Sequence, residues 1–149
     1  MNLVKLLGQQ SEDLGALIRL LEQEHQALAV GRIDGELLQR IAADKQNLLE
    51  QLEDAEQQRR QLQSELGYPD GDAGAREAAR AADCLGSWEA VRSASERAAR
   101  LNELAGSMLK MRLTHNQRLL NLIHSVAEKT LYDTRGRTQA QPGRLDASA

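Results

Sequence analysis

Residues 35–66 carry an apolar heptad pattern, which constrains the fold more than any other feature of the chain. The positions that alternate at spacings of three and four hold Leu38, Ile41, Lys45, Leu48, Leu52, Ala55, Arg59, Leu62 and Leu66. Such spacing places one side chain per turn on a single helix face, which packs against the seam of another helix. We expect Lys45 and Arg59 to pack their aliphatic stems in this seam and to extend their charges outward to solvent. The pattern therefore predicts a long helix over residues 35–66 in a coiled-coil-like bundle.

Three further helices are predicted on either side of this one. Leucine spacing predicts a helix over residues 2–29, and Asp34 is the expected N-cap of the helix that follows it. The loop between these two helices is so short that they become antiparallel neighbours. An alanine-rich stretch predicts a weak helix over residues 75–85, and Ser87 is expected to cap a long helix over residues 87–131.

The composition agrees with an all-α fold. Aromatic residues make up 2% of the chain, whereas sheets rely on aromatic and β-branched side chains. Good helix formers such as Leu, Ala, Gln, Glu and Arg dominate instead. We therefore expect an antiparallel bundle of three to four long helices over residues 1–131. Residues 132–149 contain Gly136, Pro142 and scattered charges, and they are expected to form a disordered, flexible tail.

Charge and cysteine content limit the partners and the compartment. Residues 1–66 hold 7 Lys and Arg against 12 Asp and Glu, a net of −5, and residues 108–149 hold 7 against 3, a net of +4. The first two helices are therefore expected to attract the last one or a basic partner. The basic end lacks a Lys/Arg cluster and aromatic side chains for stacking, so we expect no nucleic-acid partner. Cys84 is the one cysteine, and no apolar run reaches about 18 residues, so we expect no disulfide, no membrane insertion and a cytoplasmic location.

No residue pattern predicts a catalytic or metal site. His25, His115 and His124 do not lie three or four residues apart, as a helical metal site would require. Carboxylates lie on the exposed faces of amphipathic helices, whereas paired catalytic acids need a concave, dry pocket. Segment 67–74 contains glycines but lacks the lysine of a phosphate-binding loop. We therefore expect no enzyme, no metal and no cofactor, and we expect Trp88 to plug one end of the bundle.

The last predicted helix carries more apolar surface than one packing face requires. Its two adjacent stripes consist of Leu119, Leu122, Ile123 and Val126, and of Leu120, Ile123, Ala127 and Leu131. One stripe is enough to pack a helix onto a bundle. The excess surface has three candidate partners: the alanine-rich helix, a second copy of the chain, or a helical segment of another protein.

Three groups of residues make the chain resemble the FlgN family of flagellar type III export chaperones. Residues 24–49 are similar to that family's E…AL…D…L…K…LL hairpin. Trp88 and the segment 102–106 fall where the family has a tryptophan and an N-x-x-N-G segment, although Ala105 replaces the second asparagine. Residues 131–136 resemble the terminal LY-G-x-x-G element, in which Asp133 here replaces the glycine after the tyrosine.

The resemblance implies a cytosolic chaperone for hook–filament junction proteins. In such chaperones a C-terminal helix captures the C-terminal, coiled-coil-forming segment of the substrate, holds it unassembled and delivers it to the export gate. The implied partners are junction proteins, the export gate and the export ATPase. Tyr132 matches the family tyrosine that is implicated in docking at the gate.

The candidate substrate-binding residues are the apolar side chains near the end of the long helix. These are Leu119, Leu122, Ile123, Val126 and Leu131. The alternative hypothesis is a homo-oligomeric coiled-coil scaffold or adaptor, in which the same stripe mediates self-association.

Overall fold

A computed structural model describes the backbone of residues 2–140 and the side chains of residues 2–128. Within the described residues the chain forms four α-helices and no strand. They are α1 (Leu3–Ala29), α2 (Gly35–Glu65), α3 (Asp72–Ala81) and α4 (Leu85–Ala140). The predicted all-α fold is confirmed. No helix in this part of the chain has a stretch long and apolar enough to cross a membrane.

The first two helices begin at side-chain caps. The Asn2 side chain accepts a hydrogen bond of 2.9 Å from the Lys5 backbone N–H, and the Asp34 carboxylate accepts one of 3.1 Å from the Leu37 N–H. Each cap satisfies one of the amide groups that the first turn of a helix leaves without an intrahelical acceptor. The predicted N-cap role of Asp34 is confirmed.

A glycine turn and a glutamine fix the connection between α2 and α3. Gly67 has a φ of +88°, which lets the Tyr68 N–H reach back to the Gln63 carbonyl at 3.1 Å in a Schellman motif. The buried Gln63 side chain then donates to the carbonyl oxygens of Pro69, at 2.5 Å, and Gly71, at 3.3 Å. Gly74 packs so closely on the Pro69 carbonyl that a Cβ there would overlap it.

The boundary between α3 and α4 differs from the prediction. Asp83 takes a left-handed φ of 57°, and the Cys84 N–H bonds the Ala79 carbonyl at 2.8 Å. This Schellman motif ends α3 before the predicted stop at Gly86. Because the Cys84 carbonyl already accepts from the Trp88 N–H at 3.1 Å, α4 begins at Leu85 and Ser87 lies inside its first turn instead of capping it. The predicted ranges 75–85 and 87–131 are therefore corrected to α3 and α4 as given above.

The long helix continues past its predicted end at residue 131. It runs to Ala140, because this part of the chain contains no proline, and Gly136 alone costs a helix only about 1 kcal/mol relative to alanine. The last nine residues of the predicted tail, 141–149, lie outside the described residues.

The described residues form two compact units. The first lies within Met1–Met108 and the second within Leu109–Ala149. The core of the first unit is one cluster of buried side chains: Leu3, Leu7, Leu14, Leu17, Leu21, Ala75, Ala78, Ala79, Cys84, Trp88, Val91 and Ala98. Leucines of α1 thus share this cluster with the alanines of α3 and with larger and smaller residues of α4, while Leu48, Leu52 and Leu62 of α2 pack against it. The alanines Ala75, Ala78 and Ala79 of α3 are among the most buried residues of the described chain.

The side chain of Arg59 lies in a different environment from the one predicted for the α2 seam. Its side chain is buried, and its guanidinium bonds Glu56 and Gln63 instead of extending to solvent. The charge can remain inside because a carboxylate and an amide oxygen satisfy its donors.

Candidate functional site

The apolar stripe at residues 119–126 of α4 is exposed. The side chains of Leu119, Leu122, Ile123 and Val126 are between 47% and 60% accessible to solvent. Such exposure is unusual for four aliphatic side chains at helical spacing, and it marks a surface suited to another helix. Leu131 and Tyr132, the other predicted site residues, belong to α4, but their side chains lie outside those that the structure describes.

Polar and basic residues occupy the rest of this helical segment. Arg118 flanks the stripe, whereas Lys110, Gln117 and Asn121 lie on the opposite face of the helix, where the Gln117 side chain donates to the Asn121 side chain at 3.0 Å. The segment is therefore amphipathic and basic, which favours a partner with an apolar ridge and acidic flanks.

The first unit contains a groove that the sequence analysis did not predict. Its volume is about 780 Å³. Buried Leu14, Leu17 and Leu21 of α1 form its floor. One wall comes from α2, with Leu49 and Leu52, and the other comes from α4, where the lining includes Val91, Ser95, Ala98 and Ala99. The side chains of Ser95, Ala98 and Ala99 are small, so α2 and α4 leave space between them above α1.

A polar bridge closes each end of this groove. At one end Lys45 Nζ donates to Glu24 of α1, at 3.0 Å, and to the Asn102 side-chain oxygen of α4, at 3.2 Å. At the other end the Arg59 guanidinium lies over the Trp88 ring, 4.6 Å from its centre. Lys45 and Arg59 are 14 residues apart on α2, as are Trp88 and Asn102 on α4. Each wall therefore measures about 21 Å along its helix axis, and the two helices run antiparallel.

Two residues that line the groove each have a buried polar atom without a hydrogen-bond partner in the chain. The atoms are Gln10 Oε1 and Trp88 Nε1, whose residues are 3% and 8% exposed. The Gln10 amide nitrogen donates to Glu56 Oε2 at 3.1 Å, which leaves its oxygen as a bare acceptor. A donor and an acceptor thus lie unsatisfied beneath the surface of the groove, and each costs about 1–3 kcal/mol in that state.

The titratable residues considered for chemistry are dispersed. Among the residues that the structure describes, no group of three His, Cys, Asp or Glu side chains could hold a metal ion. Burial raises the pKa of the Cys84 thiol, and the nearby charge of Asp83 raises it further. The thiol is therefore protonated at neutral pH and is a poor nucleophile.

Comparison with known proteins places the chain in a family. The family model described as FlgN protein matches residues 1–140. The chain belongs to the FlgN family. The FlgN relative named "Flagella synthesis protein FlgN" from Salmonella typhimurium strain LT2 is 32% identical over 136 residues, which cover 91% of this chain and 89% of that protein. The FlgN protein of the same name from Escherichia coli K12 is 29% identical over 136 residues, with the same coverage. No solved structure matches the chain significantly.

Four of the residues in the FlgN motifs lie at the ends of the groove. Glu24 and Lys45 come from the hairpin motif, and Trp88 and Asn102 come from the motifs of the long helix. Glu24, Lys45 and Asn102 form the bridge at one end, and Trp88 forms half of the bridge at the other. The sequence contains these motifs, but it does not predict the groove, because a periodic pattern along one helix does not indicate the distance between α2 and α4.

Proposed function

We propose that this protein is a cytoplasmic flagellar export chaperone. It binds the C-terminal helical segment of hook–filament junction proteins, prevents their premature assembly and delivers them to the export gate. Two observations support the proposal: membership of the FlgN family, whose relatives are named as flagella synthesis proteins, and the exposed apolar stripe on α4. The stripe is the observation that carries it, because a chaperone of this kind must offer apolar surface to a segment that has no partner before assembly.

The affinity expected from the stripe suits a cargo that must later be released. Burying one aliphatic side chain contributes about 1.5–3 kcal/mol. Four such residues, Leu119, Leu122, Ile123 and Val126, support micromolar binding once the costs of association and side-chain ordering are subtracted. Leu131, which belongs to the second stripe of the sequence, is the remaining candidate for cargo binding.

Delivery to the export apparatus requires a contact separate from the cargo surface. In this proposal Tyr132 docks at the export gate, and the export ATPase is a further partner. The chain itself performs no catalysis, because holding and handing over a segment needs only reversible binding.

A titration of stripe variants tests the cargo site. Leu122→Asp combined with Val126→Asp places two charges in the interface, and we expect it to abolish binding of a junction-protein C-terminal segment in calorimetry. The control combines Val4→Asp with Leu113→Asp, two exposed aliphatic positions outside the stripe, and should bind like the wild type. Circular dichroism checks that both variants keep their helicity. Binding that survives the stripe substitutions would contradict this site, and a folded wild type that does not bind would contradict the function.

A further inference from the structure

The segment of α4 in the second unit carries a second apolar face beside the stripe. Leu109, Leu113 and Leu120 are 45%, 61% and 49% accessible to solvent. Asn116 completes the heptad spacing between them, so that the four residues follow one another at intervals of four, three and four. These four residues form the second face, which extends the second stripe of the sequence towards the start of the segment.

The stripe and the second face together are too wide for one partner helix. At 3.6 residues per turn their centres lie about 100° apart around the helix, and the sector from Leu122 to Leu113 covers about 180°. One packing partner needs a sector of about 100°. Arg112, His115 and Asn116 also lie within the sector, so it is most apolar from residue 119 onward. Two helices can therefore pack on this segment at the same time, one on each face.

The charge of the segment favours an acidic partner over a second copy of the chain. Residues 109–128 hold three basic side chains, Lys110, Arg112 and Arg118, and one acidic side chain, Glu128. Two copies of the segment would bring like charges together, whereas acidic residues beside an apolar helix face are attracted to it. We therefore expect both partner helices to carry acidic residues at the edges of their apolar faces.

A single partner chain can supply both helices. Helices in contact lie about 9 Å apart, so two helices that flank α4 at an angle of about 100° are about 14 Å from each other. A loop of about five extended residues spans that distance. Once the first helix is bound, the loop holds the second helix at a high effective concentration, an advantage that a separate chain would lack.

We propose that the cargo presents a helical hairpin to residues 109–126 of α4. The C-terminal helix of the cargo occupies the stripe, and the helix that precedes it in the cargo chain occupies the second face. The inference rests on the chaperone proposal and adds to it the form in which the cargo is held.

Calorimetry with two fragments of a hook–filament junction protein tests the hairpin. The short fragment is the C-terminal helical segment alone, and the long fragment adds the preceding loop and a second helical stretch of about 15 residues. We expect the wild type to bind the long fragment at least tenfold more tightly than the short one. Leu113→Asp combined with Leu120→Asp should reduce the affinity for the long fragment to that for the short one, which should itself bind unchanged.

The matched control places the same two charges at the same spacing on the polar side of the helix. It combines Thr114→Asp with Asn121→Asp, both at exposed positions, and should keep the tenfold preference for the long fragment. Circular dichroism checks that both double variants keep the helicity of the wild type.

The outcomes separate this inference from the chaperone proposal. A long fragment that binds no more tightly than the short one would overturn the hairpin and leave the chaperone proposal in place. So would a preference for the long fragment that survives the two leucine substitutions. If sedimentation shows a wild-type dimer that these substitutions dissociate, the second face belongs to a second copy of the chain, and the hairpin is overturned. A folded wild type that binds neither fragment would overturn both proposals.

Discussion

The guanidinium of Arg59 lies 4.6 Å from the centre of the Trp88 ring and thereby joins α2 to α4. The same guanidinium donates to both carboxylate oxygens of Glu56, at 2.9 and 2.6 Å, and to the Gln63 side-chain oxygen at 2.7 Å. The Gln63 side-chain amide in turn donates to the carbonyl oxygens of Pro69 and Gly71 in the loop before α3. One buried cation thus connects the end of the groove to the loop that positions α3.

Replacing Arg59 by lysine should destabilise the fold although the charge is kept. A lysine ammonium cannot reproduce the planar fork that serves Glu56, Gln63 and the Trp88 face together. We expect a loss of about 1–3 kcal/mol, because buried hydrogen-bonding groups are left unsatisfied. Urea unfolding measures this loss. Arg60→Lys is the matched control: its pairing with Asp70 is exposed, so its unfolding midpoint should stay close to that of the wild type. Equal effects of the two substitutions would contradict this role of Arg59.

The carboxylate of Glu56 should make stability depend on pH in the acid range. Burial raises the pKa of Glu56. The hydrogen bond and charge of Arg59, the hydrogen bond from Gln10 and the charge of Arg60 together lower it by more, so the pKa lies below its ordinary value of 4.5. A folded-state pKa that is depressed contributes stability above pH 4.5, and this stability is lost as the pH falls through the folded value. Glu56→Gln should therefore lower the free energy of unfolding at neutral pH and have a smaller effect in acid. A difference between wild type and variant that is the same at both pH values would argue against this linkage.

Two glycines in helices should respond in opposite directions to the same substitution. Gly74→Ala places a Cβ onto the Pro69 carbonyl, and relieving this overlap should cost about 1–3 kcal/mol. Gly8 lies inside α1, and no atom comes within 4 Å of the position that an added Cβ would take, so Gly8→Ala should stabilise the fold by about 0.5–1 kcal/mol. Thermal unfolding of both variants beside the wild type measures the two effects. A neutral Gly74→Ala variant would show that the loop moves freely away from α3.

The fold was predictable where local patterns decide it. The heptads of α1 and α2 and the cap at Asp34 depend on residues within a few turns of each other, and they are present as expected. The boundary between α3 and α4 was not predicted, because an aspartate at Asp83, and not the glycine three residues later, adopts the left-handed conformation that ends α3. Aspartate tolerates this region less well than glycine, so sequence alone favours Gly86.

The candidate site was only partly predictable for a related reason. Spacing along one helix is enough to predict the aliphatic stripe, and its four described residues are indeed exposed. The groove depends instead on how far α2 stands from α4. That distance follows from small side chains at Ser95, Ala98 and Ala99 and from the bridge between Lys45 and Asn102. These pairs are distant in the sequence, so no local pattern reveals them.

The chaperone proposal depends on cargo binding by the end of α4, and one titration examines it. The C-terminal segment of a hook–filament junction protein is titrated calorimetrically into the full-length chain and into a chain truncated after Asn116, with circular dichroism to confirm that both are folded. We predict micromolar binding by the full-length chain and none by the truncated chain. Equal binding by the two chains would move the cargo site away from the stripe. No binding by a folded full-length chain would contradict the proposed function.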